Sequence, residues 1–260
     1  MRRQGEPLDG ALLATLLGEC PVSLHLYDEI DSTNSEAKRY ALGGGEAPAA
    51  FLAERQSGGR GRVGRSFYSP RGTGVYLTLL LPMRGELTDG VLLTSASAVA
   101  VRRAIARVTG IEVGIKWVND LYLHDRKVCG ILAESFFVGA ERRVALGVGV
   151  NLYTEEFPEE LSEIAGSLGE AEEGLRNPLA AELIRQLYDM AEDPAPERFL
   201  EEYRRASVVL GREILYTENG ETFSARAEEI DGRGRLWVCR EDGARVCLAS
   251  GEISLRVQKK

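Results

Sequence analysis

Histidine is almost missing: only His25 and His124 occur in 260 residues, so a Ser-His-Asp relay or a histidine-rich zinc site has little to build on. Four cysteines, Cys20, Cys129, Cys239 and Cys247, stand without CxxC spacing, which leaves them as free, core-type residues. No apolar run reaches the roughly 18 residues needed to span a bilayer, and LLATLL near the N-terminus is too short for the apolar core of a signal peptide. A basic excess is missing too. Lys and Arg number 32 against 40 Asp and Glu, and the net charge of −8 argues against a protein that coats nucleic acid or anionic membrane. The expectation is a cytoplasmic protein with neither kind of partner. Any anion site must then be a local cationic spot on an acidic body.

What is present describes a folded chain. Apolar residues make up 44% and charged residues 28%, and 260 residues suffice for one large domain or a medium domain with a small companion. Residues 9 to 18 read as a short helix capped by Asp9 and stopped by Gly18, and LHLYDEI alternates like a strand. Thr33 and Glu36 have capping-box spacing and open a helix that the glycines at 43 to 45 end. AAFLAERQ and GVYLTLLLP read as strands around the loop SGGRGRVGR, and residues 89 to 109 as a long helix with Ala98, Val101 and Ile105 inward. IKWVNDLYL, KVCGILAES and RVALGVGVNL are three more strands, the first two joined into a hairpin at His124-Asp125-Arg126. Helices start at Asn177-Pro178 and at Pro196.

After about residue 206 the pattern changes. Short strands alternate with the turn signals Asn219-Gly220, Asp231-Gly232 and Asp242-Gly243, and five strands fit between Arg212 and Val257, enough for a small closed barrel. This order implies an α+β main domain over residues 1–206 and a small all-β domain over 207–260.

Four segments can carry chemistry. In Ser57-Gly58-Gly59-Arg60-Gly61-Arg62-Val63-Gly64-Arg65 the glycines let backbone pass close to a ligand, and the arginines offer forked donors that suit carboxylate or phosphate. The same run also fits an exposed loop or an RG-type nucleic-acid tether. In Lys116-Trp117-Val118-Asn119-Asp120 a regular strand puts Lys116 and Asp120 on one side, and Lys127 returns beside them after the turn. An Asp beside two lysines can help hold a divalent metal on a polyphosphate. Gly147-Val148-Gly149-Val150-Asn151 bares one strand face, for a flat ligand or for the close approach of a helix. The hydroxyls and amide of Asp31-Ser32-Thr33-Asn34 suit a neutral polar ligand or a helix cap, and Gln56 at a strand end is equally open.

Taken in order, DSTN at 31 to 34, AERQSGGRGRVGR at 53 to 65, KWVNDLYL at 116 to 123, DRKVCGILAE at 125 to 134 and GVGVNL at 147 to 152 resemble the motif series of the biotin protein ligases. The resemblance implies an α+β fold, with a mixed-sheet catalytic domain of the class II aminoacyl-tRNA-synthetase-like, biotin–lipoate ligase type and a small SH3-like barrel behind it. It implies two steps: ATP and biotin form biotinyl-5′-adenylate and pyrophosphate, with Mg²⁺ as cofactor, and a lysine of a biotin carboxyl carrier domain then takes the biotinyl group and releases AMP. The acceptor would belong to a biotin-dependent carboxylase such as acetyl-CoA carboxylase. Only about two dozen residues precede the first motif, too few for a helix-turn-helix unit, so the expected group is the one without an N-terminal DNA-binding domain and without repressor activity. An exposed sheet edge could pair two copies into a homodimer. The alternatives are a lipoate or octanoate ligase of the same fold and, from another class, a nucleic-acid-binding module using the Arg-Gly loop.

Carried over residue by residue, the resemblance assigns Ser32, Thr33, Asn34 and Gln56 to the ureido head of biotin. Arg60, Gly61 and Arg62 go to the carboxylate and the adenylate phosphate, and Gly130, Ile131, Gly147 and Gly149 to the pocket floor. Lys127 would reach carboxylate and α-phosphate as the chief catalytic cation, with Arg62 and Asp120 as the other catalytic residues. Arg60, Arg65, Phe67, Lys116, Asn119, Asp120, Lys127 and Asn151 would bind the nucleotide, with Asp120 near Mg²⁺. Three positions depart from the pattern: Phe67 stands for a tryptophan, Val118 for the proline of KWPND, and Cys129 for a small residue. None removes a charge that the chemistry requires.

Overall fold

The structure, a computed structural model, describes residues 5–83, 89–169, 173–193, 195–218, 220–249 and 253–255. Its helices are α1 (Gly10–Leu17), α2 (Thr33–Leu42), α3 (Gly90–Thr109), α4 (Arg176–Glu192) and α5 (Pro196–Ala206). Its strands are β1 (Ser23–Ile30), β2 (Ala49–Gln56), β3 (Gly74–Pro82), β4 (Gly114–Lys116), β5 (Asp120–Leu123), β6 (Arg126–Val138) and β7 (Glu141–Asn151), followed by β8 (Glu213–Glu218), β9 (Glu221–Ile230), β10 (Leu236–Arg240), β11 (Arg245–Leu248) and β12 (Ile253–Leu255).

The first seven strands form one mixed sheet in the order β1-β2-β3-β7-β6-β5-β4, parallel only between β1 and β2. β3 lies near its centre and is apolar nearly throughout because both of its faces are covered. Leu77, Leu79 and Leu81 pack with the α1, α3 and α4 side chains Leu13, Val101, Ile105, Leu183 and Ile184 in the main core. Leu80 and Phe51 turn the other way, against Ala37 and Ala41 of α2. α2 therefore sits alone on the second face, and beyond its N-terminus that face is open enough to hold a site.

β8 to β12 form a separate five-stranded antiparallel sheet in the order β11-β10-β9-β8-β12. Asn219 and Val257, expected in a turn and at the last strand's end, lie outside the described residues. Among the described residues no helix is long and apolar enough to cross a membrane, and all four cysteines carry free thiols, with Cys129 buried.

Three local expectations need correction. IKWVNDLYL is not one regular strand: the chain reverses at Trp117-Val118-Asn119 and β4 pairs antiparallel with β5, with Lys116 directly opposite Asp120. The reversal is present although Val118 stands where the family has proline, and the Trp117–Val118 peptide is cis. Thr33 does not cap α2. Ser32 is the N-cap, its Oγ accepting from Ser35 N at 3.5 Å, which frees the Thr33 hydroxyl for other partners. α4 begins at Arg176, one residue before the expected Asn177. Arg176 is fully buried, where it pairs with Glu54 at 2.8 Å and donates to Gly74 O.

Candidate active site

Strand register lays down the floor. Across β3, β7, β6, β5 and β4, Tyr76, Gly149, Gly130, Asp120 and Lys116 are successive partners in one transverse row. Thr78, Gly147 and Leu132 form the row beside it. Directly paired residues share a sheet face, so two adjacent glycines lie level between an aromatic ring and an ion pair. A Cβ on Gly149 would come within 2.5 Å of the Phe67 ring, and one on Gly130 within 3.1 Å of Lys127 Cε. At Gly147 the face left bare is filled by the protein itself, since a Cβ there would overlap Asn34 Oδ1. The bare strand face is thus covered by the protein's own groups, Asn34 of α2 at Gly147 and the Phe67 ring at Gly149 and Gly130.

One end of the cavity is neutral and polar. Gln56 Oε1 accepts from Thr33 N at 2.9 Å and from Thr33 Oγ1 at 3.1 Å, while Gln56 Nε2 donates to Ser69 Oγ at 2.9 Å. The Thr78 hydroxyl lies 2.8 Å from Thr33 Oγ1 and donates to Asn34 Oδ1 at 2.6 Å. Asn34 Nδ2 donates to Glu134 Oε2 at 2.9 Å. Ser32, Thr33, Asn34, Ser69 and Thr78 are all buried, so this network is held by the protein's own groups.

The other end is cationic. The Arg-Gly loop closes on itself through Phe67 N to Gly59 O at 2.9 Å and Gly61 N to Arg65 O at 2.7 Å, with one 3-10 turn at Arg62–Gly64. Gly64 has φ of 74°, a conformation that L side chains resist. Arg62 Nη1 donates to Asn119 Oδ1 at 3.0 Å, and Asn119 Nδ2 in turn donates to Ile131 O at 2.8 Å. Arg60 Nη2 lies 3.2 Å from Glu134 Oε1. His124 and Asp125, with φ of 50° and 61°, make the tight turn between β5 and β6 and set Lys127 opposite Tyr122.

Lys127 Nζ sits 2.7 Å from Asp120 Oδ1. The ammonium and the carboxylate form a close ion pair between β6 and β5. Lys116 Nζ donates to Tyr122 Oη at 3.1 Å. Burial, helped by the charge of Asp120, pushes the Tyr122 phenol up to about 12, so it stays protonated.

A third wall comes from the segment after β7. Lys127 N donates to Ile164 O and Gly166 N to Lys127 O, both at 2.9 Å, which lays residues 164–166 beside the lysine. Asn151 Nδ2 donates to Gly166 O at 3.0 Å, while its Oδ1 is buried without a partner. The turn that carries Asn119 and Asp120 is pinned from behind: Trp117 Nε1 donates to Gly234 O in the β9–β10 turn at 2.9 Å, and Tyr203 Oη to Val118 O at 3.1 Å.

One cavity of about 340 Å³ gathers these groups, a size that suits a small-molecule ligand. Its lining includes every residue to which the resemblance gave a ligand-binding or catalytic role: Ser32, Thr33, Asn34, Gln56, Arg60, Gly61, Arg62, Arg65, Phe67, Lys116, Asn119, Asp120, Lys127, Gly130, Ile131, Gly147, Gly149 and Asn151. It also includes Tyr68, Phe157, Leu161, Ile164 and, from the second sheet, Ile253, which no motif announced. Thr78 had a faint signal as the hydroxyl interrupting an apolar strand. Ser69 had none, and Glu134, the last residue of DRKVCGILAE, carried no assigned role.

Comparison with known proteins adds an independent line. Residues 27–151 match the biotin/lipoate A/B protein ligase family and residues 209–256 the biotin protein ligase C-terminal domain. The chain is 30% identical to the bifunctional ligase/repressor BirA of Escherichia coli, over 97% of this chain and 77% of that protein. It is also 30% identical to the biotin–[acetyl-CoA-carboxylase] ligase of Mycobacterium tuberculosis, over 88% of each. Among solved structures, the Aquifex aeolicus biotin protein ligase in complex with biotin and ATP superposes with a TM-score of 0.73 at 26% identity, over 90% of this chain and 98% of that one.

Proposed function

The chain belongs to the biotin/lipoate A/B protein ligase family, and from that premise we propose that it is an ATP-dependent biotin protein ligase whose acceptor is a lysine on the biotin carboxyl carrier domain of a carboxylase. The main domain ends near residue 206 and the small domain follows. The observation that carries the reading is the cavity's two-ended chemistry: a preset amide and hydroxyl network at Thr33, Asn34 and Gln56, and three cations at Arg60, Arg62 and Lys127, joined by a glycine floor. A heterocyclic urea on an alkyl carboxylate matches both ends. A fatty acyl chain would lay methylene groups against this polar end and offer it neither donor nor acceptor, whereas a urea offers both.

In the first step a carboxylate oxygen of biotin attacks the α-phosphorus of ATP, the bond to the bridging oxygen breaks, and pyrophosphate leaves. Two anions must meet, and Lys127 and Arg62 neutralise the charge between them. Lys127 is paired with Asp120 and Arg62 with Asn119. Substrate anions therefore replace partners already at hydrogen-bonding distance, so little reorganisation is needed. In the second step the acceptor amine attacks the biotinyl carbonyl, AMP leaves, and the nitrogen loses a proton. No protein nucleophile is needed, in keeping with a chain so poor in histidine.

Asp120 fits the role of Mg²⁺ ligand. It is a carboxylate lining the cavity beside Lys127 and Lys116, and no cluster of three acidic, histidine or cysteine ligands occurs among the described residues. That suits an ion held by one carboxylate and substrate phosphates. When bound, the ion offsets phosphate charge.

The test is pyrophosphate exchange into ATP. Biotin should support it, and lipoate and octanoate should not; the reverse result would refute the substrate assignment. Adding a carrier domain should then transfer label from biotin to a lysine. Arg62→Ala should release the adenylate about tenfold or more faster, since a charge-assisted hydrogen bond is worth roughly 1.5–3 kcal/mol. Stopped-flow dissociation of the preformed intermediate measures this, and an unchanged rate would remove Arg62 from the anion site.

A further inference from the structure

Glu134 has no part in the reaction above, yet it is the acid on which both ends of the cavity converge. Its Oε1 is 2.7 Å from Lys38 Nζ and 3.2 Å from Arg60 Nη2, and its Oε2 accepts from Asn34 Nδ2 at 2.9 Å. The three partners lie on different parts of the fold: Asn34 and Lys38 on α2, Arg60 in the Arg-Gly loop, and Glu134 itself on β6. Its side chain is 17% exposed, whereas that of Arg60 is 47% exposed, so the carboxylate is the better-buried member of the pair. Burial works to raise the carboxyl's pKa, but the Lys38 and Asn34 donors and the Lys38 and Arg60 charges outweigh it, and the net shift is downward. Glu134 stays ionised at neutral pH.

An anion so near an anion-binding site needs a reason. A loop with glycines at 58, 59, 61 and 64 loses much conformational entropy when ordered, and its other cations contribute mutual repulsion. A fixed carboxylate reaching Arg60 offsets part of that, while Lys38 balances the charge that remains. Asn34, held by the same carboxylate, belongs to the polar end. We propose that Glu134 is a positioning residue that latches the Arg-Gly loop over the cavity through Arg60 and sets the loop in register with α2, so that the loop retains the reactive intermediate. The consequence for the intermediate rests on the ligase reading; the latch itself does not.

Two measurements on the full chain separate these. In the empty protein, limited trypsin digestion followed by mass spectrometry reads loop opening from cleavage after Arg62 and Arg65, because cleavage tracks the open population when reclosing is fast. Glu134→Gln, which keeps size but removes the charge, should raise that cleavage about five- to tenfold, the effect of losing a partly exposed pair with one well-buried member. Cleavage after Arg205 on α5 should not change.

With biotin and ATP, Glu134→Gln should raise KM for biotin and speed adenylate release by the same factor, with kcat changed less. The double variant Arg60→Gln/Glu134→Gln should release the adenylate no faster than Arg60→Gln alone, because the two residues act as one unit. Additive effects, an unchanged loop cleavage rate, or a parallel rise at Arg205 would each overturn the latch. Should Glu134→Gln fold poorly, Glu134→Asp, which keeps the charge but withdraws it by a methylene, is compared with wild type in the same assays and should open the loop in the same direction. If wild-type protein makes no adenylate from biotin, the ligase reading falls, and the digestion still decides the latch.

Discussion

Lys127→Ala lowers the rate of adenylate formation by about 10²–10³-fold, the scale expected when one preorganised charge is removed from the place where negative charge builds up. The lysine is the cation that the β5–β6 turn and the register of β5 fix beside Asp120, at 2.7 Å, and its side chain is one third exposed, so substrate can reach it. Alanine also leaves Asp120 as an uncompensated anion facing the incoming phosphates, and both losses act in one direction. The fold should survive, because Val128 and Cys129, next in β6, stay in the core. Pyrophosphate exchange measures the first effect and thermal unfolding the second. Near-normal exchange in a folded variant would take Lys127 out of the reaction. Lys127→Arg, which keeps the charge and changes its shape, should recover part of the rate, whereas Lys127→Gln should not.

Gly147→Ala is expected to lower kcat/KM for biotin by about 100-fold, the order of loss that a displacement of roughly 1 Å in a binding group produces. The added methyl would overlap Asn34 Oδ1. Asn34 cannot yield cheaply, because Thr78 holds its oxygen at 2.6 Å and Glu134 its nitrogen at 2.9 Å. The strain therefore passes into the first turn of α2 and to Thr33, the partner of Gln56. Gly149→Ala is the instructive contrast: its methyl meets the half-buried Phe67 ring on the loop, which can move, so it should act on the nucleotide more than on biotin. Isothermal titration with biotin and with ATP separates the two. Equal biotin affinity in wild type and Gly147→Ala would mean that Asn34 is not part of the biotin site.

Much of this site can be read in the chain without coordinates, because its residues are odd locally. Four glycines and three arginines within nine residues serve no helix or strand, and glycines two apart in a valine strand remove packing that a strand normally wants. Asp125 in a two-residue turn and the polar run from Asp31 to Asn34 before an apolar stripe are equally local signals. The places where local reading fails are as definite. A sequence written as one strand, IKWVNDLYL, folds back on itself at a turn held by Gly234 and Tyr203, each more than eighty residues away. Thr33 looks like the cap of α2 by spacing, but Ser32 takes that place and Gln56 claims Thr33.

Residue order by itself determined the class of fold, the division into a mixed α+β part and a β tail, and the chemical character of the site, since periodicity, turn residues and local charge all act over a few positions. Only the tertiary structure decided which groups meet. The floor exists because the register of β3, β7, β6 and β5 levels Tyr76, Gly149, Gly130 and Asp120 in one row. Thr78 and Ile253 enter the site from strands that no motif marks, and Glu134 reaches Asn34 from the end of one that a motif does mark. Pairing register and the seating of α2 are long-range outcomes of packing the whole core, and no short window of sequence contains them.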